Sequence, residues 1–189
     1  MPMSTLLSLA LGLALAAAAG LRIFVPILGA GLAAHFGLVT LNPAFAWAGT
    51  IPALIAFGTA TALEIGAYYV PWLDHALDLV ATPTAMAAGV LASAAVVTDL
   101  PPLVTWVLAI VGGGGVAGLV QILSVATRVK SSITTGGLAN PVVATGETVG
   151  AASITALAIF LPAVALLLLL VAGVLLSRFA SRRRQRRRS

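Results

Sequence analysis

Polar positions along this chain are rare and clustered, and apolar runs fill the intervals between them. The runs cover Ser4 to Gly20, Ile23 to Gly37, Thr50 to Val70, Pro83 to Thr98, Leu103 to Thr127 and Leu157 to Leu176. They lack the alternating period of a barrel strand, and several approach the ~20 residues a helix needs to cross a ~30 Å hydrocarbon layer. The pattern predicts an all-α polytopic membrane protein with six or seven membrane segments. One straight helix over Ser4 to Phe36 would measure roughly 50 Å, too long for that layer, so two elements are expected there. The second, broken by Pro26, is short or re-entrant. A loop with an Asn42-Pro43 turn follows, and Pro71 to Val80 is expected as a separate interfacial helix, its proline at the first helical position. Tyr68 and Tyr69 are expected at the end of a span, as part of an aromatic belt.

The stretch from Thr134 to Glu147, TTGGLANPVVATGE, departs most from the apolar pattern. Pro141 removes a helical hydrogen bond and pushes Asn140 out of helical geometry, and Gly136 and Gly137 weaken the helix upstream. Such backbone persists at membrane depth only where protein or a wet cavity satisfies its polar groups. A second broken segment surrounds Pro26, and PILGAG there echoes PVVATG at Pro141. Paired Gly/Pro-broken segments point to a transporter-type site and an internal repeat.

Composition agrees with the pattern: 60% of the 189 residues are hydrophobic and 8% charged, and the mean hydropathy is +1.12. The net charge of +5 comes from a basic tail, so residues 1–177 read as the membrane domain and 178–189 as a disordered cytoplasmic tail. Nucleic-acid binding is a poor fit, because the basic residues do not form a folded face. Cysteine is absent, which excludes disulfides and thiolate metal sites. The positive-inside bias places Arg128, Lys130 and the tail on the cytoplasmic side. An uncharged start to the chain favours a retained first segment over a cleaved signal.

Arg22, Glu64 and Glu147 are the charges nearest apolar depth. A lone charge there costs at least ~2.5–3.5 kcal/mol, so each calls for a partner or a wet cavity. One reading makes Glu64 and Glu147 cation or proton sites, with Asn140, Thr145 and freed carbonyls completing the shell and Arg22 as a counter-ion or an anion-binding group. Thr134, Thr135 and Thr148 offer further neutral oxygens. The other reading is a structural Arg–Glu pair, above all Arg22 with Glu64, and side chains that recap broken backbone. Asp74, His75 and Asp78 read as a solvated acidic face, not a metal site. His35 reads as a packed or interfacial histidine. Gly112 to Gly115 lacks the rest of a phosphate-binding motif, and Gly114 and Gly118 suit close helix packing. No nucleophile–base pair points to an enzyme, and no residue set calls for a cofactor.

The strings GLRIFVPILGAGLAAHFG, LEIGAYYVPWLDHALD and SSITTGGLANPVVATGET resemble a family of small bacterial integral-membrane proteins catalogued only as a domain of unknown function. The likeness runs from about Leu15 to Pro162 and implies a bacterial inner-membrane location, with no activity attached. RIFVPILGAG also looks like the arginine–proline re-entrant segment of DedA-type lipid scramblases and flippases, without that family's acidic partner motif. Three functions remain open at this point. The first is a transporter or channel for a small solute or ion; the second is lipid-headgroup handling; the third is a non-transporting scaffold that packs partner helices on its glycine faces. Membrane lipids, the solute or ion and further copies of the chain are the expected partners.

Overall fold

The computed structural model describes residues 5–186, and every regular element among them is helical. α1 (Thr5–Ala19) and α2 (Phe24–His35) are separated by a break at residues 20–23, as the length argument requires. A 3₁₀ turn (Pro43–Gly49) leads at 71° into α3 (Ile51–Ala67). α4 spans Pro71–Val96. α5 (Pro102–Leu108), a π-helical segment (Ala109–Gly114) and α6 (Gly115–Thr135) run on as one helix of 34 residues. α7 (Asn140–Phe160) and α8 (Pro162–Arg186) complete the chain.

Among the described residues two helices, Pro102–Thr135 and Asn140–Phe160, are long and apolar enough to cross a membrane; the bent pair at residues 43–67 makes a third if it is one span. Four more helical stretches are apolar but shorter: Thr5–Ala19, Phe24–His35, Val80–Val96 and Pro162–Leu175. The distribution of side-chain size fits a chain that faces lipid. The buried hydrophobic side chains are mostly alanines, whereas leucines, isoleucines and valines crowd the surface. Where the surroundings are as apolar as the core, small residues that let backbones approach give more packing than large ones do. α1 is the axis of that core and packs against α2, α4, α6, α7 and α8.

Close approach explains the glycine run. A Cβ on Gly89 of α4 would lie 2.7 Å from the carbonyl oxygen of Gly113, and one on Gly114 would lie 2.9 Å from Val90 Cγ2. The π-helical segment and α6 therefore pack onto α4 within the chain, with Gly118 against Met86. Ser93 Oγ donates to the carbonyl of Gly12 at 2.9 Å, which ties α4 to α1.

Several expected boundaries move. Pro71 to Val80 is no separate helix, because α4 continues through Pro83 to Val96. The Thr84 hydroxyl donates to the Val80 carbonyl, one turn back. The side chains of Asp74, His75 and Asp78 lie outside those described. Pro141 does not break a membrane helix: residues 136–139 form a turn between α6 and α7, and Pro141 sits in the first turn of α7, where its missing N–H costs nothing. Gly136 and Gly137, at φ of 63° and 88°, supply the left-handed conformations that end α6. Pro26 likewise lies in the first turn of α2. The helix expected over Leu157 to Leu176 is divided at Leu161, with Pro162 opening α8. α8 then runs across the expected 177/178 boundary to Arg186, and arginine is a good helix former. Residues 187–189 lie outside those described.

Candidate functional site

Arg22 stands in the break between α1 and α2, where the chain has just left one helix and has not begun the next. Its side chain is fully covered, at 1% exposure, and crosses to α7. There Nε donates to Thr148 Oγ1 at 3.0 Å, Nη2 donates to the Ala144 carbonyl at 2.8 Å, and Nη1 is 3.1 Å from Glu147 Oε2. Glu147 is itself 8% exposed and lies on the buried stripe of α7 with Asn140, Ala144 and Ala151. The expected charge pair exists, but its acid is Glu147 and not Glu64.

A second arginine meets the same carboxylate. Arg128 of α6 is 1% exposed; its Nη2 lies 2.5 Å from Glu147 Oε2 and its Nε donates to Oε1 at 3.3 Å. Ser124, one turn earlier on α6, donates its hydroxyl to Glu147 Oε1. The guanidinium carbons of Arg22 and Arg128 lie 4.0 and 4.1 Å from the ring centroid of Tyr68, which follows α3 directly. A ring face attracts cations, and the attraction strengthens to about 2 kcal/mol when water is excluded. α1, α3, α6 and α7 thus bring two guanidinium groups, one carboxylate and one aromatic ring together in a desolvated cluster.

Glu64 borders this cluster and serves a backbone. Its Oε1 accepts from Ile23 N–H at 2.7 Å and its Oε2 from Phe24 N–H at 3.0 Å. The open N-terminus of α2 presents unpaired donors and a partial positive charge, and a carboxylate from α3 answers both. A cavity of about 430 Å³ lined by Ile23, Phe24, Glu64, Tyr68, Leu77 and Thr84 adjoins the cluster on that side.

The other expected site residues stand apart. Asn140 is buried on the same face of α7 but two turns from Glu147, and its Nδ2 donates to Ser132 Oγ at 3.0 Å. Thr145 faces away and is exposed; its hydroxyl donates to the Pro141 carbonyl at 2.8 Å and meets the Tyr69 hydroxyl at 2.7 Å. Thr134 and Thr135 also donate to carbonyls one turn back in their own helix. Pro141 begins a helix, so it frees no carbonyl within one. His35 Nδ1 lies 2.9 Å from the Gly49 carbonyl, and its ring meets Phe36 edge-on.

Sequence reasoning missed Arg128, Ser124 and Tyr68 as members of the site. Arg128 looked like a cytoplasmic flank beside Lys130, yet it shares a helix face with Ser124 and Gln121, four and seven residues before it on an apolar helix. That polar stripe was the available signal. Tyr68 looked like half of a belt, but it is buried at 6% whereas Tyr69 is exposed.

No curated protein and no solved structure matches the chain. A family profile matches residues 9–182, nearly the whole of the chain and every residue of the cluster. The chain belongs to the family described as Domain of unknown function (DUF4126).

Proposed function

We propose that the protein is a membrane transporter or channel for a small anionic solute, with Arg22 and Arg128 as the seat for the solute's carboxylate or phosphate group. The observation behind this reading is the convergence of two buried guanidinium groups on one carboxylate oxygen, Glu147 Oε2. In the resting state Glu147 fills the seat, and the solute exchanges with it. Guanidinium forks match the oxygens of carboxylates and phosphates equally well. A cation would face two arginines, and both oxygens of Glu147 already accept from side chains. Of the expected roles, anion binding at Arg22 is therefore kept, and the cation expected at Glu147 is given up.

The finer topology belongs to the same reading. The shorter apolar helices complete six or seven membrane segments in a bacterial inner membrane, with Lys130 and the arginine tail on the cytoplasmic side. The placement of Pro26 and Pro141, each in the first turn of a helix that follows a break, supports an internal repeat. The 71° bend ahead of α3 supports a re-entrant segment. The scaffold alternative loses its motivating feature, since Gly114 and Gly118 face α4 of the same chain.

The test is uptake of labelled inorganic phosphate and succinate by proteoliposomes, run beside transbilayer movement of a fluorescent anionic phospholipid. The reading expects saturable uptake of a soluble anion, lowered at least about tenfold by Arg22→Lys, which keeps the charge and loses the fork. Lipid movement without soluble-anion uptake would assign the cluster to headgroup phosphate instead. No movement of either above empty liposomes would remove the proposal.

A further inference from the structure

We infer that Gln121 is a further solute-contacting residue, the far end of a polar lane on the inner face of α6 along which the anion moves. This rests on the anion reading above and extends it to a path. Gln121, Ser124, Arg128 and Ser131 recur at i, i+3, i+7 and i+10, so they share one side of the helix. They extend over about 15 Å of its axis, roughly half the thickness of a hydrocarbon layer.

The two middle members hold Glu147, as described. Each of the two outer ones carries a buried polar atom without a hydrogen bond, Gln121 Nε2 and Ser131 Oγ. Gln121 is 3% exposed and lies one turn beyond Ala117 and Gly118. A buried amide without an acceptor weakens a fold, so the folded state gives no reason for glutamine there. An acceptor that arrives with a ligand does. The lane offers amide, hydroxyl and guanidinium hydrogens in succession, a set of donors that suits carboxylate or phosphate oxygens and opposes cations.

The absence of cysteine makes the path directly measurable, because an engineered thiol reports without background. Single variants Gln121→Cys, Ser131→Cys and the outward-facing control Leu119→Cys are placed in the full chain in proteoliposomes. Each is treated with a membrane-impermeant anionic methanethiosulfonate, with and without inorganic phosphate. The lane expects labelling at residues 121 and 131, none at 119, and labelling of Gln121→Cys slowed several-fold by phosphate. A companion variant, Gln121→Leu, separates contact from packing. It should melt at or above the wild-type temperature while phosphate uptake falls about tenfold, the loss expected for one hydrogen bond to a charged oxygen. Uptake that depends on Arg22 but is unchanged in Gln121→Leu overturns the lane and leaves the anion reading in place. Unreactive Gln121→Cys in protein that folds overturns it as well. Phosphate-protected labelling in protein that transports nothing supports Gln121 as an anion contact and overturns transport.

Discussion

Arg22, in the break between α1 and α2, and Arg128, on α6, share one oxygen atom, Glu147 Oε2, at 3.1 and 2.5 Å. Two like charges are held that close only while the carboxylate stands between them. Removing one partner of a buried ionic group typically costs ~3–5 kcal/mol, because the remaining charges stay desolvated. Stability and function at this site are consequently coupled, and tests need variants that separate them.

Tyr68 offers one such separation. Tyr68→Phe keeps the ring beneath both guanidinium groups, whereas Tyr68→Leu keeps bulk and loses the π face. Thermal unfolding should place the leucine variant about 2 kcal/mol below the phenylalanine variant. Equal melting temperatures would show that the ring contributes volume and no cation–π attraction.

Glu64 should behave as a helix cap. Glu64→Gln retains an acceptor oxygen and loses the charge facing the N-terminus of α2, which should cost about 1 kcal/mol. Glu64→Leu leaves the N–H groups of Ile23 and Phe24 without this acceptor and should cost more, about 2 kcal/mol. The ordering leucine below glutamine below wild type, read by thermal unfolding, is the expected result; a stable leucine variant would contradict the capping role.

Glycine substitutions test the packing of α4 on the π-helical segment. Gly89→Ala inserts a methyl 2.7 Å from the Gly113 carbonyl oxygen and should destabilise by ~1–3 kcal/mol. Gly115→Ala meets open space in a helix and should be neutral or stabilising by up to about 1 kcal/mol. The reverse order would mean that the helices do not approach as described.

The parts of this site visible in the sequence were those that violate composition. Arg22 and Glu147 stand out as charges in apolar runs, and the break after Gly20 follows from length alone. Arg128 violates nothing by itself, because a basic residue beside Lys130 at the end of a span is what a cytoplasmic flank looks like. Its inward direction depends on helix phase, which only the Gln121–Ser124–Arg128 spacing reveals. Glu64 was visible as a charge, but its partners are backbone N–H groups, and every residue has one. Prolines were legible as discontinuities without showing their sense: Pro141 and Pro162 begin helices, while Pro83 is absorbed inside one. Which carboxylate pairs with which arginine is a property of tertiary packing, and no local pattern carries it.

In the proposed function, Arg22 and Arg128 form an anion seat that Glu147 fills. Thermal unfolding of Glu147→Gln with and without inorganic phosphate, at ionic strength matched with chloride, tests it most directly. A ligand that binds only the folded state stabilises it by about 1.4 kcal/mol at ten times its dissociation constant. The seat predicts that Glu147→Gln is destabilised in chloride and recovers in phosphate, by at least that amount more than wild type does. A phosphate shift equal in the variant and in wild type would be general salt exclusion from the protein surface, and it would contradict the anion seat.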